Sequence, residues 1–341
     1  FILNLINQSD GLLREAIQAE VAKVYAISKP PLIRDLNVLI YRKLIQVKGQ
    51  AKNTIYAPII QNPLLRSFDL NRYFQEEPDK RVGARKSFDF GIFDYLHDLL
   101  IPQDLVELNQ NSQSFDVVRQ KLSPDILKRE LERLIIELSW KSSKIEGNTY
   151  SLLETEVLLK EEKEAVGKQR SEATMIINHK LAFEEILKRK KDFRNVSISL
   201  VNQLHIVLVK DLGVTTGLRK QAVGITGTVY VPPDNEHQVR EAFEKTLQAI
   251  HLSSNPFEKA LIVHVMIPYI QPYADGNTRT ARMLTNAILL AYDYLPISYR
   301  SVDDNEFKQA LILFYEQRSL YHSKRLFIEQ IKFANEKYFR W

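Results

Sequence analysis

The sequence predicts a mainly α-helical protein preceded by a small α+β domain, and three observations carry that prediction. Apolar residues recur at helical spacing through most of residues 123–339. Alternating runs rich in β-branched residues are short and few, at 44–49, 54–59 and 223–231. Two apolar helical patterns at the centre, Ala260–Ile270 and Met283–Ala291, mark a buried helix pair joined by a tight loop. The expected division is a domain over residues 1–62, a helical connection over 63–122 and a helical domain over 123–341, whose first helix runs from 123 to 148.

The 341 residues are 45% hydrophobic and 26% charged, the balance of a globular chain with two or three domains and a substantial core. No apolar run approaches the ~18 residues that cross a bilayer, and Phe1–Asn7 lacks the basic start of a signal peptide. No membrane partner and a cytoplasmic location are therefore expected. Without cysteine there is no disulfide, no thiol nucleophile and no cysteine-type zinc site. The net charge is +5, and residues 1–60 hold eight Lys or Arg against four acids, which places +4 of it at this end of the chain. A small basic domain hints at a nucleic-acid partner.

In that domain Arg14–Tyr25 is amphipathic, Ala26–Lys29 is a break, and Pro30–Tyr41 is a second helix with proline in its first turn. Leu44–Gly49 and Thr54–Ile59 read as two strands joined by a basic, glycine-containing turn. The stretch from 63 to 122 reads as a charged connection followed by helices over Phe88–Leu100 and Asp104–Leu108. Ser123-Pro124 opens a strong helix, with Ser as cap and Pro at the first position, and Gly147-Asn148 ends it. Two helices follow, the second over Ser171–Lys190, and then one over Ser197–Leu212 in which His205 sits among apolar residues as a core side chain. Val223, Ile225, Val229 and Val231 alternate around Thr226-Gly227, the pattern of a hairpin closed by Pro232-Pro233. Beyond the central pair, helices begin at Asp304 and Ser323.

The central loop reads Ile270-Gln-Pro-Tyr-Ala-Asp-Gly-Asn-Thr-Arg-Thr-Ala-Arg282. Gly276 permits close approach of backbone, Asn277 suits an N-cap, and the free amides of the following helix form an anion site. Arg279 and Arg282 are three apart and share a helix face, so two guanidinium forks are available to phosphate. Asp275 adds a hard oxygen ligand of the kind Mg²⁺ takes.

This loop resembles the signature of the Fic family, His-Pro-Phe-x-Asp/Glu-Gly-Asn-Gly-Arg-x-x-Arg, whose members mostly transfer AMP from ATP to a hydroxyl on a target protein. Pro272, Asp275, Gly276, Asn277, Arg279 and Arg282 match it, and Tyr273 replaces Phe. Thr278 stands where the pattern usually has Gly, and Gln271 stands where it has its catalytic His. The resemblance implies that Arg279 and Arg282 clamp the phosphates of ATP, with Asp275, Gly276, Asn277 and Thr278 around them and Asp275 holding Mg²⁺. It also puts Gln271 and Arg279 at the catalytic positions. Glutamine has no titratable nitrogen, and a positioned base is worth ~10² to 10⁴ in rate, so binding is expected to survive better than turnover. His264, seven residues before Gln271 and about 10 Å away along the helix axis, is read as a core residue and not a replacement base.

Ser142-Ser-Lys-Ile-Glu146-Gly147 resembles the family's inhibitory motif. Glu146 reaching Arg282 would take the place of the ATP γ-phosphate, or would orient a water for removal of AMP. The hairpin carrying Val223, Ile225, Thr226 and Gly227 resembles the family's flap, which aligns a target segment by strand addition. Phe307 and Ala310 fall where the family closes over adenine, and the other reading of them is as core residues. Residues 1–62 resemble the winged-helix domain that often accompanies Fic domains. In that reading helix 30–41 enters a groove with Lys29, Arg34, Lys48 and Lys52 near DNA phosphates; the other reading is a protein contact surface. The expected function is an autoinhibited AMP transferase impaired at its base position. The alternatives are a slow but active transferase and a non-enzymatic, nucleotide-binding regulator that binds DNA. The expected partners are a Tyr, Thr or Ser hydroxyl of a target protein, DNA through residues 14–58, and a second copy in a homodimer.

Overall fold

The computed structural model describes residues 1–340 except Gln8, Asp10, Ala26, Ile27, Lys43, Gln50, Ala51, Lys52, Ile60 and Gln61, and except the side chains of Asn4 and Asn7. Lys52 and part of the expected break at Ala26–Lys29 thus lie outside the described residues. The chain divides into one unit of Phe1–Arg81 with Ser319–His322 and another of Val82–Arg318 with Ser323–Trp341. The stretch 63–122 is shared between them.

The first unit runs α1 (Ile2–Asn7), β1 (Leu12–Leu13), α2 (Arg14–Ala22), α3 (Lys29–Tyr41), β2 (Ile45–Lys48), β3 (Ile55–Pro58) and a short α4 (Leu70–Tyr73). Its strands pair antiparallel in the order β1-β3-β2, with Lys48 opposite Ile55 and Leu12 opposite Tyr56. Ile17 and Val21, and likewise Leu32 and Leu36, are four apart and so share a helix face. They close with Ile6 and Ile45 into one core. The opposite face of α3 leaves Lys29, Arg34, Asn37 and Tyr41 exposed.

The second unit is helical: α5 (Pro102–Gln110), α6 (Phe115–Lys121), α7 (Pro124–Ile145), α8 (Leu152–Glu161), α9 (Arg170–Lys188), α10 (Ile198–Val209), α11 (Glu236–Leu252), α12 (Pro256–Ile270), α13 (Asn277–Ala291), α14 (Asp304–Gln317) and α15 (Tyr321–Lys337). Every residue of α12 from Phe257 onward is buried, as is every residue of α13 except Thr278. A helix apolar on all faces must be enclosed by others, and this pair is. α12 packs on α13, α11 and α14, while α13 meets α10, α9 and α7. Among the described residues no helix is long and apolar enough to cross a membrane.

α7 begins as its sequence predicts. Ser123 accepts from the Ile126 amide, Pro124 takes the first position, and Glu146 caps the far end ahead of Gly147 at φ 95°. Two expectations need correction. Phe88–Leu100 does not form a helix but only the 3-10 turn Phe90–Tyr95, because the Phe88 amide is taken by the Val231 carbonyl and the Asp89 carboxylate caps Gly91. The expected hairpin turns at Thr226-Gly227, but no strand pairing spans it among the described residues. Its backbone is partnered elsewhere. Val231 forms a parallel bridge to Ser87, and the Val229 amide and Thr228 hydroxyl donate to Glu316 at 3.4 and 2.6 Å.

Candidate active site

The loop between α12 and α13 is set by two residues in the left-handed region. α12 ends at Gln271, φ 51°, three residues after Pro268 and one before Pro272, whose ring disfavours the helical conformation at the residue ahead of it. For a non-glycine residue that conformation is uncommon, and the Gln271 side chain helps to hold it by donating from Nε2 to the Pro268 carbonyl at 2.7 Å. The second is Gly276, φ 78°, which caps α13. A Cβ there would stand 2.9 Å from Val209 Cγ1, so both the conformation and the close approach of α10 require glycine. This corrects the sequence reading of Asn277 as the N-cap: Asn277 is the first helical residue, and Gly276 is the cap.

Asn277 instead braces the loop. Its Oδ1 accepts from the Tyr273 amide at 2.9 Å, and its Nδ2 donates to the Tyr273 carbonyl at 2.9 Å and to Gln271 Oε1 at 2.7 Å. Arg219 braces it from outside. That side chain is 5% exposed and donates from Nε to the Gln271 carbonyl at 2.5 Å, from Nη1 to Gln221 O at 2.7 Å and from Nη2 to Pro233 O at 2.5 Å. On the other side His205 stacks on Tyr273 with ring centroids 3.7 Å apart and donates from Nε2 to the Asp275 carbonyl at 2.9 Å. Burial, opposed by that hydrogen bond, holds the His205 imidazole below its usual range.

The first amides of α13 receive no side-chain cap and, as at any helix start, have no partner within the helix, so they are available as donors at the loop. Two buried arginines flank them. Arg279 pairs with Asp275, Nη2 to Oδ2 at 2.9 Å, and reaches the Leu208 carbonyl at 3.4 Å. Arg282, with no exposed surface, donates from Nε to Ser142 Oγ at 2.8 Å, and from Nη2 to Ser142 O at 2.9 Å and to Glu146 Oε1 at 2.6 Å. Its Nη1 is buried without a hydrogen-bond partner among the described residues. The structure therefore joins Ser142 and Glu146, from the end of α7, to Arg282 on α13, 140 and 136 residues apart. Both guanidinium groups lie close enough to His179 to reinforce the effect of burial, which pushes that imidazole down to about 3.

The remaining sequence candidates are placed as follows. Thr278 is half-buried at the start of α13, and Asp275 has a side chain 67% exposed at the loop rim. Phe307 and Ala310 are core residues, 2% and 1% exposed, with Phe307 lying beneath the Arg282 guanidinium, 5.7 Å from its ring centroid. His264 is a core residue too. Its Nδ1 lies 3.3 Å from the Tyr299 hydroxyl, and burial pushes it down to about 3. Val223 and Ile225 are half-buried, and Thr226 and Gly227 are exposed at the turn. Sequence reasoning missed Arg219 and His179. Arg219 sits beside Lys220 like an ordinary surface pair, and nothing local to His179 points to Ser142.

Fold and site together define a helical protein with a glycine-capped loop at a buried helix start, two buried arginines beside it and an acid from a distant helix on one of them. Residues 195–289 match the model of the Fic/DOC family, so the chain carries a Fic domain. It is 27% identical over 209 residues to the protein adenylyltransferase Fic of Drosophila yakuba, covering 59% of this chain and 42% of that protein. It is 30% identical over 156 residues to that of Drosophila ananassae, covering 45% and 31%. The chain thus spans less than half the length of these curated relatives. In fold it is similar to a Fic-domain-containing signalling protein from Bacteroides thetaiotaomicron, with TM-score 0.56, 21% identity and 68% and 96% of the two chains covered. It is similar also to Fic-1 from C. elegans, with TM-score 0.58, 21% identity and 69% and 71% covered.

Proposed function

We propose that this chain is an AMP-transferase-type Fic protein held in an autoinhibited state and slowed by glutamine at its base position. The observation that carries the reading is the 2.6 Å contact of Glu146 with the fully buried Arg282. An arginine without exposed surface and with one guanidinium nitrogen unpartnered is built to receive a further acceptor. A nucleotide phosphate beside the free amides of α13 supplies one, and Glu146 competes for the same group. Curated relatives named adenylyltransferases support AMP as the group transferred.

In the transfer, the target hydroxyl oxygen bonds to the α-phosphorus of ATP, the bond from that phosphorus to the β-bridging oxygen breaks, and pyrophosphate leaves. The hydroxyl proton needs an acceptor. Gln271 offers none, since its Oε1 accepts from Asn277 and its Nε2 donates to Pro268, so the proton passes to water and the step is slow. The helix-start amides and Arg279 still stabilise charge at the phosphates. The Asp275 carboxylate suits Mg²⁺, which binds through one or two carboxylates and substrate phosphates; it is 67% exposed and its Oδ2 is shared with Arg279. Bound there, Mg²⁺ would neutralise phosphate charge.

Transfer of labelled AMP tests the reading, comparing the chain with Gln271→His, Glu146→Gly and both together. Signal rising in the order single, then double, is expected. No signal in the double variant would overturn transferase chemistry.

One observation favours a second reading for the first unit. The order helix, strand, helix, helix and two strands, sheet order β1-β3-β2, and a Lys29–Arg34 face exposed on α3 are features of a winged helix that docks on DNA. Retention on duplex DNA that falls steeply with salt would support it, and no retention at low salt would leave a protein contact surface.

A further inference from the structure

The Ser142 hydroxyl is shared between two buried groups, His179 Nε2 at 2.8 Å and Arg282 Nε at 2.8 Å, and Ser142 and His179 themselves have no exposed surface. The hydroxyl has one hydrogen of its own to place, and the far side of the imidazole decides where it goes. His179 Nδ1 lies 2.7 Å from the Met175 carbonyl, which can only accept, so Nδ1 carries the proton and Nε2 is an acceptor. Ser142 therefore donates to Nε2, and its lone pairs are left facing the Arg282 Nε–H. Polarity runs one way, from Arg282 through Ser142 and His179 to a carbonyl one turn back on α9. Neutrality of the ring, enforced by burial, keeps the chain from reversing.

We propose that His179 is a positioning residue for Arg282, aiming its guanidinium independently of Glu146. Arg282 makes two contacts to Ser142 and one to Glu146. When Glu146 withdraws, the two Ser142 contacts remain, and the guanidinium stays aimed with Nη1 and part of Nη2 ready for phosphate. The inhibitory helix thus contributes to the active arrangement as well as to the blocked one: Glu146 occupies the arginine, while Ser142 with His179 prepares it. The inference rests on Arg282 as the ligand of the terminal phosphate, as proposed above.

The test is calorimetric titration of ATP and of ADP into the Glu146→Gly chain carrying His, Gln or Leu at position 179. Glutamine can place an accepting oxygen near the position of Nε2; leucine cannot. In His179→Leu the preference for ATP over ADP should fall about tenfold, the loss of one aimed charged contact, while ADP affinity changes less than about threefold. His179→Gln should keep the preference within about threefold. An unchanged preference in His179→Leu, equal weakening of both nucleotides, or failure of glutamine to rescue would each overturn the inference. Glu146→Gly binding neither nucleotide would overturn the reading of the site and this inference with it. Should His179→Leu not fold, Ser142→Ala against Ser142→Thr makes the same comparison, with alanine expected to lower the preference and threonine to retain it; equal preference in both would overturn it.

Discussion

The Asn277 amide donates to Gln271 Oε1 at 2.7 Å across the turn that joins the two central helices, while the same amide group binds both the nitrogen and the oxygen of Tyr273. One buried side chain thus closes the loop on itself and turns Gln271 inward. Asn277→Asp is the sharpest test, because it keeps the shape and the acceptor for Tyr273 N. It removes the donor and leaves a carboxylate against two other acceptors, which is expected to cost about 2 kcal/mol in urea unfolding. A change under about 0.5 kcal/mol would mean that the bracing contributes little.

Gly276→Ala should destabilise by about 2 kcal/mol, combining a left-handed backbone with a Cβ 2.9 Å from Val209 Cγ1. Val209→Ala in the same chain should recover part of that loss, since only the steric share is relieved. Additive losses would show that the contact is not the cause.

Arg219→Met strips charged donors from the carbonyls of Gln271, Gln221 and Pro233 and is expected to cost about 3 kcal/mol by denaturant unfolding. Arg219→Lys should recover less than half, because one ammonium cannot serve three carbonyls pointing at a planar fork. Full recovery by lysine would contradict the geometry.

His179 and His264, pushed to about 3 from an ordinary 6.5, give the stability a definite pH dependence. Between these values the unfolded chain takes up a proton on each ring that the folded chain refuses. Their contribution is therefore complete above pH 6.5 and lost as pH falls, at about 1.4 kcal/mol per unit for each histidine. Urea midpoints should be flat from pH 8 to 7 and decline from 6.5 to 5, with a shallower decline in His179→Gln. A midpoint that rises on acidification would contradict burial of these rings.

How much of this was legible in the sequence depends on where the partners of each residue lie. Asp275, Gly276, Arg279 and Arg282 could be read as a set because turn chemistry and helix spacing are local, and the apolar runs on either side announced a buried pair. The end of α7 could be linked to Arg282 only through resemblance, since no local property of Glu146 points 136 residues ahead. Arg219 and His179 escaped for the same reason, their partners being Gln271 and Ser142, 52 and 37 residues away. The hairpin shows a different limit. Val223 and Ile225 are half-buried between exposed Ala222, Gly224 and Thr226, so the alternation recorded alternate burial of an extended segment. Strand pairing needs a partner as well, and here the hydrogen bonds go to Lys86, Phe88 and Glu316 instead. Asn277 was misassigned because a capping residue type stood next to a glycine that the close approach of Val209 makes indispensable.

The competition of Glu146 with phosphate for Arg282 can be measured most directly by titrating ATP into the unchanged chain and into Glu146→Gly by calorimetry. Loss of the carboxylate should tighten ATP by about tenfold or more, with AMP affinity unchanged. Equal ATP affinity in the two chains would contradict the account.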